Sequence, residues 1–417
     1  MHRLILQRVY AGTLGCALLT ILSLPVSLNA ENATPADKFV DSVGVNIHLH
    51  YQDTAYNDFP QVEKALIDLG VHHVRDGLIL SDWQPYYNRL NALGKDGIKA
   101  LLITSPGESL NALDAFPNRV PSVMEGMEGP NELDISGGRD WLQKLVLALP
   151  ATEMAAEKWR LPLVGPSMTQ APSFAILAHI PQGGALGNLH NYFGGHHPGT
   201  PGWGDNGYGS YPWQLRLAHQ AWPGKPIWST ETGYVMDPAL AQGIPETVAA
   251  RYILRLLMEQ YLHGIERTYL YELLDTNIPS QNVHDRFGLC RSDFSRKPAY
   301  LAVQSLLRLL ADPSGSPAAS ALNLQLTGAP ADLHHMLFAK SDGEFYLMLW
   351  VEEAGYDVDR KIELPVKTVH VKATWPAERE AKISRFEDDG SLSEIQTLHA
   401  NSADLTVNDR VTVLRIR

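Results

Sequence analysis

The chain reads as an α/β protein, a (β/α)8 TIM barrel followed by a small C-terminal antiparallel β-sandwich. From Phe39 to about Leu310, short apolar runs alternate with helix-compatible segments, the rhythm of βαβ units in a parallel sheet. Beyond a break rich in Ala, Pro, Gly and Ser, from Ala311 to Pro317, the pattern changes to closely spaced alternating strands. These features divide the chain into a leader at 1–30, a barrel at 31–312 and a sandwich at 313–417.

Strands are expected at 42–48, 72–75, 100–103, 122–127, 162–165, 186–190, 226–228 and 267–271, which makes the eight a closed barrel needs. Their near-continuous apolar character is that of parallel strands covered on both faces. Between them, 56–69, 83–93, 138–149, 171–179, 214–220, 245–263 and 298–310 carry helical spacing or composition. Ile253, Leu254, Leu256, Leu257 and Tyr261 give the clearest helical face. In the tail, strands are expected at 334–339, 344–350, 361–364, 368–375, 381–386 and 410–416, with Asp342-Gly343 as the turn between the first two. Whether the tail begins with a strand near 322–326 is left open.

Composition narrows the classes of partner. With 417 residues, 45% of them hydrophobic and 19% charged, the chain is long enough for one large domain and a smaller one. A formal net charge of −12 disfavours nucleic acid or an anionic membrane surface. At the N-terminus, Arg3 and Arg8 precede an apolar stretch from Val9 to about Leu28, and Ala30 offers a small residue at a cleavage point. This is the pattern of a secretory signal, so a secreted or periplasmic location is expected. An uncleaved anchor is the alternative for a stretch of this length; Gly12, Gly15, Ser23, Pro25 and Ser27 favour cleavage. Cleavage would take the net charge to −14 and leave Cys290 as the only cysteine, with no intrachain disulfide possible. No second apolar segment is long enough to span a membrane.

Two carboxylates stand out by position. Glu132, in Gly129-Pro130-Asn131-Glu132, and Glu231, in Trp228-Ser229-Thr230-Glu231-Thr232-Gly233-Tyr234, each follow a short apolar run. Either taken singly reads as a solvated loop glutamate. Together they fall at the ends of the fourth and seventh strands, on the face where a barrel of this kind carries its site. Two facing glutamates there are suited to breaking a glycosidic bond, one giving a proton and the other attacking. Arg75, in Val74-Arg75-Asp76, ends the second strand, and His190-Asn191-Tyr192 ends the sixth.

With these residues in place, the chain resembles clan A of the glycoside hydrolases, with families 39 and 5 as its nearest types, over most of residues 40–310. The resemblance implies that Glu132 is the acid/base and Glu231 the nucleophile of a retaining glycosidase. It also implies that Arg75 and Tyr192 hold the nucleophile, and that Asn131 binds the sugar 2-hydroxyl. His190 matches the first position of the clan's His-x-Tyr, with a core histidine satisfied by backbone as the alternative. No metal or cofactor is implied.

The remaining candidates depart from that pattern or lie outside it. His48 and His50 alternate after the first strand and would point to one side; sugar binding is expected of His48, and no carboxylate or cysteine recurs nearby at metal-ligand spacing. Tyr271 and Glu272 stand where the clan usually has a tryptophan platform, so Tyr271 is expected to take its place. The glycine-rich loop from Phe193 to Trp213 carries several aromatic rings, of which Trp203 is expected to stack on sugar. Trp350 and Trp375 in the tail are expected in the core.

The expected activity is therefore retaining hydrolysis of a polysaccharide or oligosaccharide. By the same resemblance, an exopolysaccharide is a reasonable substrate. The rival reading from another class is a barrel that binds glycan without cleaving it.

Overall fold

The computed structural model describes residues 30–276, 282–315 and 321–417. The expected signal segment therefore lies outside the described residues, apart from Ala30. Among the described residues, no helix is long and apolar enough to cross a membrane.

Eight parallel strands form the central sheet: β1 (Val43–Asn46), β2 (His73–Gly77), β3 (Lys99–Ile103), β4 (Met124–Glu128), β5 (Leu163–Val164), β6 (Gly187–His190), β7 (Ile227–Thr232) and β8 (Ile265–Leu270). β8 pairs with both β1 and β7, and the ring closes where Gly165 N–H donates to Leu186 O (2.9 Å) and Leu186 N–H to Leu163 O (2.8 Å). Each expected strand overlaps one observed strand. The outer helices are α1 (Phe59–Leu69), α2 (Gln84–Lys95), α3 (Leu110–Arg119), α4 (Trp141–Trp159), α5 (Ala171–Leu177), α6 (Tyr211–Ala221), α7 (Glu246–Leu262) and α8 (Pro298–Leu310).

Two helices differ from the sequence reading. α3 was not expected; Ser109 caps it by accepting from Ala112 N–H (3.3 Å), and Leu113 and Phe116 supply a short buried face. α4 runs on past Pro150, where the pattern suggested an end. Leu145, Ala148, Leu149, Thr152, Ala155 and Ala156 keep one face buried through the proline, and packing outweighs the missing hydrogen bond.

The C-terminal strands are β9 (Gln325–Thr327), β10 (Leu333–Ala339), β11 (Phe345–Val351), β12 (Val369–Phe386), β13 (Leu392–Val407) and β14 (Thr412–Ile416). β12 is one long strand whose register shifts between Thr374 and Arg379, so the sheet folds over its own core of Leu347, Leu349, Trp375, Ile383, Leu405 and Leu414. The other face of β10 and β11, with Met336, Phe338, Tyr346, Met348 and Trp350, joins the core of the barrel. β11 is consequently buried at every position, and α7, caught between barrel and sheet, is buried on all sides from Val248 to Gln260. Trp350 and Trp375 are core residues, as expected. Ahead of the barrel, Ala30–Asn32 pairs with Ala321–Asn323 in a separate two-stranded sheet, and Thr34–Pro35 runs beside β10.

Ionised groups sit at both ends of the barrel. At the N-terminal end, His73 bridges Glu125 (2.5 Å) and Asp41 (2.8 Å), while Arg267 also pairs with Glu125 (2.5 Å). The opposite end holds the carboxylates singled out above.

Candidate active site

Arg75, on β2, organises that end. Its guanidinium is buried, and every N–H it carries has an acceptor. Nε and Nη2 clasp Glu128 at 2.6 and 2.8 Å, while Nη1 donates to Glu231 Oε1 (2.6 Å) and Asn46 Oδ1 (2.9 Å). The second hydrogen of Nη2 goes to Asn131 Oδ1 (2.7 Å). Glu231 Oε2 in turn accepts from the Tyr192 hydroxyl at 2.9 Å. Burial opposes charge on Glu231, but His190, Arg75 and the Tyr192 hydroxyl outweigh it and hold the carboxyl below the usual carboxylate range.

Glu132 is presented differently. β4 ends at Glu128, and Gly129 passes so close to the next loop that a Cβ there would lie 2.8 Å from Pro166 N. The chain then turns, placing Glu132 in the left-handed region (φ 45°), an uncommon conformation for a residue with a side chain. Its amide is held by Ser167 (Oγ 3.1 Å, O 3.2 Å), and its carboxyl reaches His190 Nδ1 at 2.6 Å. An oxygen of Glu132, an oxygen of Glu231 and a nitrogen of His190 all lie within 4.8 Å of one another.

The hydrogen-bond network assigns the tautomer of His190. Thr230 Oγ1 donates to Asn188 Oδ1 (2.6 Å) and so accepts from His190 Nε2 (3.0 Å). Nε2 therefore carries hydrogen, and a single proton remains to be shared between Nδ1 and Glu132. Burial lowers the His190 pKa, but Glu231 and Glu132 raise it more, and the net shift is upward.

These groups face a cavity of about 560 Å³ lined by Asn131, Glu132, Tyr192 and Glu231 and walled by His48, Tyr51, Tyr271 and Phe287. His48 and Tyr271 are thus on its surface, with His48 stacked on Tyr51 (4.5 Å between centroids). His48 faces Glu272 (3.2 Å) and His50 faces Asp76 (3.5 Å), so the two rings have separate carboxylate partners. Trp203 is not among the residues that line the cavity. Its ring lies on His196 (4.6 Å, interplanar 19°) and against Gly194 and Gly209, so the glycine-rich loop folds on itself and does not extend the ring over the cleft.

Sequence reasoning passed over four residues that hold the site together: Asn46, Glu128, Asn188 and Thr230. Glu128 is wholly buried and also accepts from Asn188 Nδ2 (2.9 Å), with the Thr230 hydroxyl oxygen 3.3 Å away. A charged residue closing an apolar strand run was the one signal available for it. Among the described residues, two groups could gather three ligand atoms for a metal, Glu132–His190–Glu231 and Glu259–His334–Glu352, and in each a guanidinium already pairs with one carboxylate, Arg75 with Glu231 and Arg255 with Glu352. The arrangement as a whole sets an ionised carboxylate opposite a carboxyl that shares a proton, with a cavity between them.

Comparison with protein-family models and with curated proteins gives no match. Solved structures do match. A family 39 glycoside hydrolase from Bacteroides cellulosilyticus WH2 is 16% identical with a TM-score of 0.64, over 92% of this chain and 82% of that one. A monomeric β-xylosidase from Caulobacter crescentus CB15 is 16% identical with a TM-score of 0.58, over 93% and 97%. A family 51 α-L-arabinofuranosidase from Thermotoga petrophila RKU-1 is 10% identical with a TM-score of 0.57, over 93% and 100%. The chain therefore has the fold of the family 39 and family 51 glycoside hydrolases.

Proposed function

We propose that this protein is a retaining glycoside hydrolase acting on an oligosaccharide or polysaccharide. The observation that carries the reading is the pair itself: Glu132 and Glu231 bring carboxylate oxygens within 4.8 Å across the cavity, and only Glu231 is gripped by Arg75 and Tyr192. Oxygens that close leave less than the roughly 6.5 to 9.5 Å that an inverting pair keeps for its water, and so favour double displacement, in which the carboxyl groups stand about 5 to 5.5 Å apart. Glu231, held ionised, attacks the anomeric carbon while the proton between Glu132 and His190 passes to the leaving oxygen. The resulting glycosyl ester is opened by a water whose proton Glu132 takes, which restores both groups.

The substrate class is supported by the shape and chemistry of the cleft. Tyr51, Tyr271 and Phe287 offer ring faces, Asn131 and the histidines offer donors, and the net charge of −12 suits a neutral or weakly charged glycan. The likeness to enzymes named for β-xyloside and α-L-arabinofuranoside cleavage adds to the general reading and does not choose the sugar. An exopolysaccharide is one such substrate, and the expected signal segment fits a secreted or periplasmic setting.

The test is a glycan panel assayed with the wild type and Glu231→Gln, followed by NMR of the first product anomer. A loss on the order of 10⁵-fold in kcat, the scale of nucleophile removal, and retained configuration are expected. Wild-type turnover surviving in Glu231→Gln overturns the assignment. A wild type that binds a glycan and cleaves none, with no covalent trapping by a 2-fluoro glycosyl fluoride, would establish the glycan-binding alternative.

A further inference from the structure

The segment that joins β11 to β12 reaches the loops of the cleft through three side chains. Glu352, just after β11, is buried and accepts from His197 Nδ1 (2.8 Å) and the Gly199 amide (2.8 Å), both in the loop that follows β6. Arg255 of α7 fixes the same carboxylate through Nε (2.9 Å) and Nη2, and Trp350 Nε1 donates to it at 2.9 Å. Glu352 is thus immobilised from the core side and holds the loop from the other.

Further along the chain, Val358 packs against Gly195. A Cβ on that glycine (φ +83°) would meet Val358 Cγ2 and Gln242 O, each at 2.6 Å, so the backbone there is pinched between the β11–β12 segment and the loop after β7. Lys361 Nζ then caps carbonyls of that second loop, donating to Leu240 O (2.9 Å) and Pro238 O. Tyr234 ties the two loops together by donating to His196 O (3.0 Å). These loops supply Gly194, Gly195, Gly233, Tyr234, Val235 and Gln242 to the cavity wall.

We infer that the segment joining β11 to β12 serves substrate binding: through Glu352, Val358 and Lys361 it positions the loops after β6 and β7, and so sets affinity for sugar units lying along that wall. The inference builds on the glycosidase reading, and its residues act through backbone without touching substrate. They are positioning residues. A glycan long enough to contact the wall depends on them, whereas a short aryl glycoside confined to the reacting centre does not.

The test uses full-length His197→Ala and Val358→Ala, which leave the Glu352–Arg255 pair intact. KM for a long oligosaccharide is expected to rise on the order of tenfold, the scale of one hydrogen bond, with kcat on an aryl glycoside within a factor of about two of wild type. Backbone amides of 193–200 should exchange faster with solvent in both variants. Unchanged KM for long and short substrates, or an equal loss of kcat on both with a lowered Tm, would overturn the inference. If the wild type cleaves nothing on the panel, the glycosidase reading has failed by itself; the Kd of the same oligosaccharides for wild type and variants then decides the positioning role, and equal or undetectable binding overturns it.

Discussion

Replacing Glu128 by Gln separates the carboxylate that braces Arg75 from those that face the cavity. Glu128 accepts from Arg75 Nε (2.6 Å) and Nη2 (2.8 Å) and from Asn188 Nδ2 (2.9 Å), and the Thr230 hydroxyl, whose hydrogen goes to Asn188, lies 3.3 Å away. An amide of the same shape keeps one accepting oxygen and turns an NH2 toward a guanidinium N–H, so one charge-assisted hydrogen bond is lost. That costs about 1.5 to 3 kcal/mol. Arg75 keeps Glu231 as a counter-ion, so the roughly 3 to 5 kcal/mol of a fully broken buried pair is not reached. With an unfolding entropy of about 2.1 cal/mol/K per residue over 417 residues, Tm should fall by about 2 to 3 °C. Turnover should stay within about tenfold of wild type, because the guanidinium still grips Glu231 and no reacting group is removed. Calorimetry and steady-state kinetics on the glycan found for the wild type would measure both quantities. Glu231→Gln should lose turnover altogether, with a loss of Tm of the same order, since it removes the other carboxylate that Arg75 grips. A Glu128→Gln protein of unchanged Tm that loses turnover on the order of 10³-fold or more would refute this division of labour.

Three further outcomes follow from the same contacts. Tyr192→Phe removes one hydrogen bond from Glu231, so kcat should drop about tenfold and the acidic limb of the pH profile should move to higher pH, because the carboxylate is held less firmly below its ordinary range. Trp203→Ala should leave KM unaltered within about twofold, since the ring lies outside the cleft; a loss of more than tenfold would restore it to the substrate path. Stability should peak in mildly acidic solution. Glu231, Glu125 and Asp41 have depressed folded pKa values, so their contribution is present above the unfolded carboxylate range near pH 4 and fades as pH falls through the folded values. His48, His73 and His190 have raised ones, so theirs is full below about pH 6.5 and fades as pH rises through the folded values. A Tm that climbs steadily from pH 6.5 to pH 8.5 would contradict that sign.

How much of the site was legible follows from where each residue's contacts lie. Glu132, Glu231, Arg75, Asn131, His190 and Tyr192 sit at ends of strand-like runs, and the barrel rule turns strand ends into a shared face. Their convergence was therefore predictable before any distance was known. Glu128 and Asn46 escaped notice because nothing local distinguishes a carboxylate or amide that turns inward from one that meets water. The neighbours of Trp203 were illegible for a related reason: loop composition reports which rings are present and not what they pack against, here His196 and two glycines.

The same contrast holds for the fold. Apolar runs of the length and spacing of strands and helices settle the order of barrel elements, because each must bury its own apolar face. The two longest strands of the tail are another matter. β12 was read as two strands around Pro376, and β13 was missed, because much of its length is exposed and its alternation is confined to Ala403, Leu405 and Val407. Only pairing with β12 makes that segment a strand. What the amino-acid order determined was the barrel and the pair of glutamates at its rim, both consequences of local periodicity. The partner of each carboxylate, and the docking of the β11–β12 segment against the loops of the cleft, were decided by tertiary structure, because they depend on hydrogen bonds between residues far apart in the chain, such as Glu352 with His197.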